Sequence, residues 1–197
     1  MVLAYHIIFT AYGFWLPNDP RGSWSNFVAS WDLVLAGGKA TKTNEAKSLA
    51  HQSHDHVHRL EAKKSLKFPA VEFSGKQALS ISKGFIEAIN DAAYVVHACS
   101  ILPGHVHLVM ARMERNVKIV VEPLKAKASH RLRVEGHHPF VEYEKADGSL
   151  PTCWGEGCWK VFLNDEDQVR RAIDYVEQNP VKEGKAIQRW SFVKGIH

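Results

Sequence analysis

The sequence is poor in cysteine, and the three it has, Cys99, Cys153 and Cys158, form an odd and scattered set. That excludes a disulfide framework and suits a reducing compartment, so a cytoplasmic location is expected. No apolar run is long enough to span a bilayer, and no membrane partner is expected. Residues 1–8 lack both a basic residue ahead of their apolar stretch and a small-residue cleavage pattern, so no secretory leader is expected there. Internal repeats and low-complexity tracts are missing as well. Charge of either sign is close to balance: the net charge is +4 and the pI about 8.9. Such a balance permits a nucleic-acid partner without demanding one.

What is present is ordinary globular composition, 45% hydrophobic and 23% charged over 197 residues, enough for one domain with a sizeable core. Residues 5–10 are rich in β-formers and read as a first strand. Residues 12–23 carry turn-formers and two prolines and read as a loop. Residues 37–67 are polar and without clear period, an excursion from the core that is partly helical or mobile. Ser74 is placed to cap a helix running to about Asp91, with Leu79, Ile86, Ile89 and Ala93 on its stripe. Residues 94–102 and 105–110 read as two strands joined by Pro103-Gly104, hence a hairpin. A helix is expected over 116–135, closed by Gly136. A short strand follows at 158–163. The last helix starts from a cap at Asn164, buries Val169, Ile173 and Val176, and stops at Asn179-Pro180. This order predicts an α+β fold: an antiparallel sheet with helices packed on one face.

The strongest chemical signal is His105-Val106-His107. Residues i and i+2 of a strand share a face, so two imidazoles project together while Val106 points into the core. Histidine is the commonest metal ligand, and two on one strand form a rigid half-site. The helix after this strand carries Lys125, Lys127, Arg131 and Arg133, with no acid from 124 to 134, which suits phosphate backbones. Trp154, and Trp159 beside Lys160, are candidates for stacking unpaired bases. His54, His56 and His58 lie in the polar excursion and read as solvated. Cys153 and Cys158 with His137 and His138 form a weaker candidate zinc set. His6 and His97 read as core-edge strand residues, His6 being a candidate third ligand.

Ile101-Leu102-Pro103-Gly104-His105-Val106-His107-Leu108-Val109 resembles the histidine motif of the single-tyrosine HUH transposases, especially the REP-associated kind. Residues 5–10 resemble their first strand. Residues 159–163 and Ile173-Asp174-Tyr175-Val176-Glu177-Gln178-Asn179-Pro180-Val181-Lys182 resemble the strand and the tyrosine–Asn-Pro helix near their end. The resemblance spans most of the chain outside 37–67 and implies a ferredoxin-like or RRM-like architecture. It implies a single-stranded or hairpin DNA partner, with a homodimer left open. It further implies a magnesium or manganese ion held by His105, His107 and a third polar ligand, with strand cleavage through a phosphotyrosine and rejoining, that is, DNA transposition.

The resemblance puts the catalytic tyrosine on the helix after the histidine strand. That position is Ala128, the position of the third ligand falls near Leu132, and no tyrosine occurs from 111 to 142. The nucleophile is therefore unassigned, with Tyr143 ranked ahead of Tyr175, whose place in the Asn-Pro helix reads as structural. Three readings stay open at this point: an altered transposase, a non-catalytic nucleic-acid-binding module, and a metal-dependent phosphodiesterase that activates water.

Overall fold

In the computed structural model, residues 1–14, 56–114 and 116–195 are described. The chain divides into two units, one of Met1–Ala11 with Glu72–His197, the other Tyr12–Val71. Within the second unit, helix α1 (His56–Lys64) ends on Lys63 and Lys64, cations that complement the negative end of the helix dipole. Its return segment is tied by the Val71 amide donating to the Tyr12 carbonyl at 2.9 Å and by the Tyr12–Phe68 ring contact at 6.1 Å. The excursion expected at 37–67 falls inside this unit.

The first unit is built on β1 (Ala4–Thr10), α2 (Gly75–Ala92), β2 (Val96–Ile101), β3 (His105–Ala111), α3 (Val117–Val134), β4 (Trp159–Leu163) and α4 (Glu166–Lys182). The four strands form one antiparallel sheet in the order β2-β3-β1-β4, the order a βαββαβ chain gives a ferredoxin-like sheet. Ser74 caps α2 through a full capping box with Gln77. The buried stripe of α2 is Ala78, Ile81, Phe85, Ala88 and Ile89, whereas Leu79, expected inside, is 56% exposed. The β2–β3 turn closes with the Leu102 amide donating to the His105 carbonyl at 2.9 Å.

Strand alternation gives the sheet two faces, and helices occupy both. Phe9 of β1 points to α2, meeting Phe85 at 6.0 Å, and α2 packs on α3 at Gly84, where a Cβ would sit 2.5 Å from the Ala128 amide nitrogen. Only glycine lets the two backbones come that close. On the opposite face Ala4, Ala98, Val109 and Leu163 form a cluster with Val169, Ala172 and Val176 of α4. Each large aliphatic side chain buried there contributes about 1.5–3 kcal/mol. So α2 and α3 lie on one face, whereas α4, expected on that same face, covers the other because its apolar stripe Val169, Ala172 and Val176 packs on Ala4, Ala98, Val109 and Leu163.

Two expectations for α4 change. Its cap is Asp165, which accepts from the Gln168 amide at 2.7 Å, one residue past Asn164. The helix also continues through Pro180 to Lys182. Proline removes one backbone donor, but its own carbonyl accepts from the Lys185 amide at 2.8 Å and the Asn179 carbonyl accepts from the Glu183 amide at 3.1 Å, so the last turn holds.

Candidate functional site

The site lies on the sheet face that α4 crosses. His105 and His107 share that face, with ring centroids 4.8 Å apart, and Val106 between them is fully buried on the other side. In the β1–β3 register Ile8 stands opposite His107. His6, two residues along β1 on the same face, is therefore its diagonal neighbour. The two rings stack at 5.2 Å, and His6 Nε2 lies 2.9 Å from His107 Nδ1. Ser100 stands opposite His107 from β2.

The helix closes the cluster from above. The Tyr175 ring meets His107 at 5.7 Å and His6 at 5.9 Å. Two turns on, a Glu183 carboxylate oxygen is 3.7 Å from His105 Nε2. Positions 175, 179 and 183 follow one another at i, i+4 and i+8, so they share a stripe, and Asn179 falls between two residues that both face the histidines. Asn179 is buried, and its Nδ2 has no hydrogen-bond partner among the described residues; the same holds for Ser100 Oγ. A buried polar group without a partner costs about 1–3 kcal/mol, so Ser100 beside His107 and Asn179 on the helix stripe above the sheet face are two places where a ligand's polar group would be stabilising.

Burial sets the protonation of the cluster. It pushes the His6 imidazole down from its usual 6.5 to about 4. Burial first, then His105 and His6, hold His107 well below the usual range. Both rings are neutral at neutral pH, the form that coordinates metal. Among the described residues no three His, Cys, Asp or Glu side chains form a metal cage. The donors that meet there are the imidazole nitrogens and, 3.7 Å from His105, the Glu183 carboxylate.

Several expected site residues lie elsewhere. Ala128 and Leu132 are both fully buried on α3, a helix of the face away from His105 and His107, so no side chain on the inner side of that helix can reach the pair. Tyr143 lies in the 3-10 turn Val141–Tyr143, its ring on Phe140 at 5.8 Å. The next residue, Glu144, faces Arg133 of α3 at 3.6 Å. Tyr143 thus belongs to the α3 side, and Tyr175 is the tyrosine beside the histidines.

The expected basic DNA surface is largely spent within the protein. Lys125 is 5% exposed; its ammonium donates to the carbonyls of Gly155 at 2.8 Å and Gly157 at 2.7 Å, and burial lowers its pKa. Lys127 pairs with Asp91 at 3.0 Å, Arg131 with Glu87 and Arg133 with Glu144. Trp154 is buried against Phe9 and Phe73, and its indole donates to Ser129 Oγ at 3.0 Å, which makes it a core residue. Lys160 is exposed on the edge strand β4, over the Phe162 ring at 5.5 Å. Lys182, not singled out in the sequence, stands 4.8 Å over the Tyr175 ring.

The zinc set does not assemble. Cys153 is buried, its thiol pushed up to about 11 by that burial, while His138 Nδ1 accepts from the Phe140 amide and His137 Nδ1 faces Ser80 Oγ at 2.9 Å. His97 lies 3.2 Å from the Lys194 carbonyl. His54 lies outside the described residues, as do the side chains of His56 and His58.

No protein-family model and no curated protein matches the sequence. Among solved structures, a REP-associated tyrosine transposase bound to a REP hairpin is similar over 93% of this chain and 70% of that one, at 12% identity and a TM-score of 0.48. A protein provisionally described as a transposase, from Deinococcus radiodurans R1, is similar over 94% of this chain and 93% of its own, at 11% identity and a TM-score of 0.41. At these values neither likeness carries a functional argument, and the site is read on its own geometry.

Proposed function

We propose that the protein is an HUH-type strand transferase acting on single-stranded or hairpin DNA, in the manner of a transposase, with Tyr175 as its nucleophile. The observation that supports this most is the placement of Tyr175 on the helix that crosses the His105–His107 face. A divalent ion, magnesium or manganese, would be held by the imidazoles of His105 and His107, with the side-chain oxygen of Asn179, buried on the Tyr175 stripe of the helix, as the hard ligand such ions prefer. When bound, the ion supplies Lewis-acid polarisation of the scissile phosphate.

The chain's own groups do the rest. The Tyr175 phenolic oxygen attacks phosphorus and gives up its proton, and a phosphorus–oxygen bond to the neighbouring sugar breaks. The departing sugar oxygen takes up a proton. The phosphodiester is conserved as a phosphotyrosine, so a second strand end can displace the tyrosine and rejoin. Lys182, beside the ring, offers positive charge to the attacking phenolate and to the phosphate.

The test is denaturing electrophoresis of labelled hairpin DNA after incubation with protein and manganese. A protein-linked band that disappears in Tyr175→Phe and in the double variant His105→Ala/His107→Ala supports the reading. Hairpin binding without cleavage would make the protein a non-catalytic module, and cleavage without a linked band would make it a phosphodiesterase that uses water.

A further inference from the structure

We infer that His6 is a positioning residue, its Nε2 accepting the Nδ1 proton of His107 and so fixing the tautomer in which the His107 Nε2 lone pair is open to a ligand. The inference rests on the proposed metal role of His107, although the hydrogen bond and its direction are properties of the metal-free protein.

Three observations carry it. The 2.9 Å contact joins His6 Nε2 to His107 Nδ1, so one of these two nitrogens carries the shared proton and the other accepts it. Only one direction of sharing is compatible with coordination through Nε2: if His6 donated, the remaining proton of His107 would sit on Nε2 and block it. Metal-binding histidines usually spend their second nitrogen on a carboxylate or carbonyl. At His107 that place is taken by an imidazole. Second, the diagonal register of β1 and β3 makes the contact a consequence of strand pairing. It needs no ordering of a loop. Third, the His6 ring also meets Tyr175 at 5.9 Å, so one side chain braces both the proposed ligand and the proposed nucleophile.

Two-bond proton–nitrogen NMR correlation on the metal-free wild-type protein reads the tautomer directly. The expected pattern for His107 is a protonated Nδ1 and a bare Nε2; a protonated Nε2 overturns the inference. The variants His6→Gln and His6→Phe separate the hydrogen bond from packing, because glutamine keeps an acceptor near the same place and phenylalanine keeps only the ring. Calorimetric manganese affinity should fall about 10–100-fold in His6→Phe and recover most of that loss in His6→Gln. Equal losses in the two variants would reduce His6 to a packing residue and overturn the inference. Should the wild type show the expected tautomer yet take up no manganese, the proposed metal reading falls while the assignment of His6 stands.

Discussion

Replacing Lys125 by methionine tests the reassignment of this residue from DNA ligand to internal clamp. The ammonium donates two short bonds, to the carbonyls of Gly155 and Gly157, and lies 5.6 Å from the Phe9 ring. Bonds to a charged group contribute about 1.5–3 kcal/mol each. Methionine fills similar volume and is inexpensive to bury, which offsets part of the loss, leaving a destabilisation of about 2–4 kcal/mol. For a chain of this size that lowers Tm by roughly 5–15 °C, measured by calorimetry or circular dichroism. The same variant should leave the salt dependence of hairpin binding unchanged, because no phosphate contact is removed. A Tm within about 1 °C of wild type, together with a salt slope reduced by about one, would refute the clamp and restore the phosphate role.

Gly84→Ala should destabilise by about 1–3 kcal/mol or more, because its methyl would meet the Ala128 backbone at 2.5 Å rather than a side chain that can move aside; an unchanged urea midpoint would show that α2 and α3 are not so closely packed. Metal-free stability should fall with acid. The His6 imidazole titrates near 4 in the folded chain, against about 6.5 when unfolded, so the unfolded state takes the proton first. The stabilisation is full above about pH 6.5 and is lost as pH falls toward 4, at a cost of the order of 3 kcal/mol from His6 alone; equal urea midpoints at pH 7.5 and 5 would contradict it.

Much of the fold was legible because its signals are local. Ser74 with Gln77 specifies a helix start, Pro103-Gly104 a tight turn, and the alternation around Val106 puts two histidines on one face. The faces chosen by the helices were not legible. Nothing in the α3 sequence says that it packs behind the histidines, and its unbroken run of cations hides the acids Glu87 and Asp91 that meet them from α2. Nor does the tryptophan-rich segment reveal that Trp154 is core. The costliest misreading came from Pro180. Taken as a helix stop, it left Asn179 at a frayed end, while Tyr175 read as structural because it matches the tyrosine of the Asn-Pro helix motif. With the helix continued, the four-residue spacing of Tyr175, Asn179 and Glu183 becomes one stripe over the cluster, a periodicity present in the sequence all along.

The most direct measurement of the central claim is mass-spectrometric mapping of a protein–DNA adduct after trypsin and nuclease digestion. Cleavage after Arg171 and Lys182 releases residues 172–182, which contain Tyr175; cleavage after Arg133 and Lys145 releases residues 134–145, which contain Tyr143. The nucleotide mass is expected on the 172–182 peptide, on Tyr175. A nucleotide on the 134–145 peptide, or an adduct that survives in Tyr175→Phe, would contradict the account.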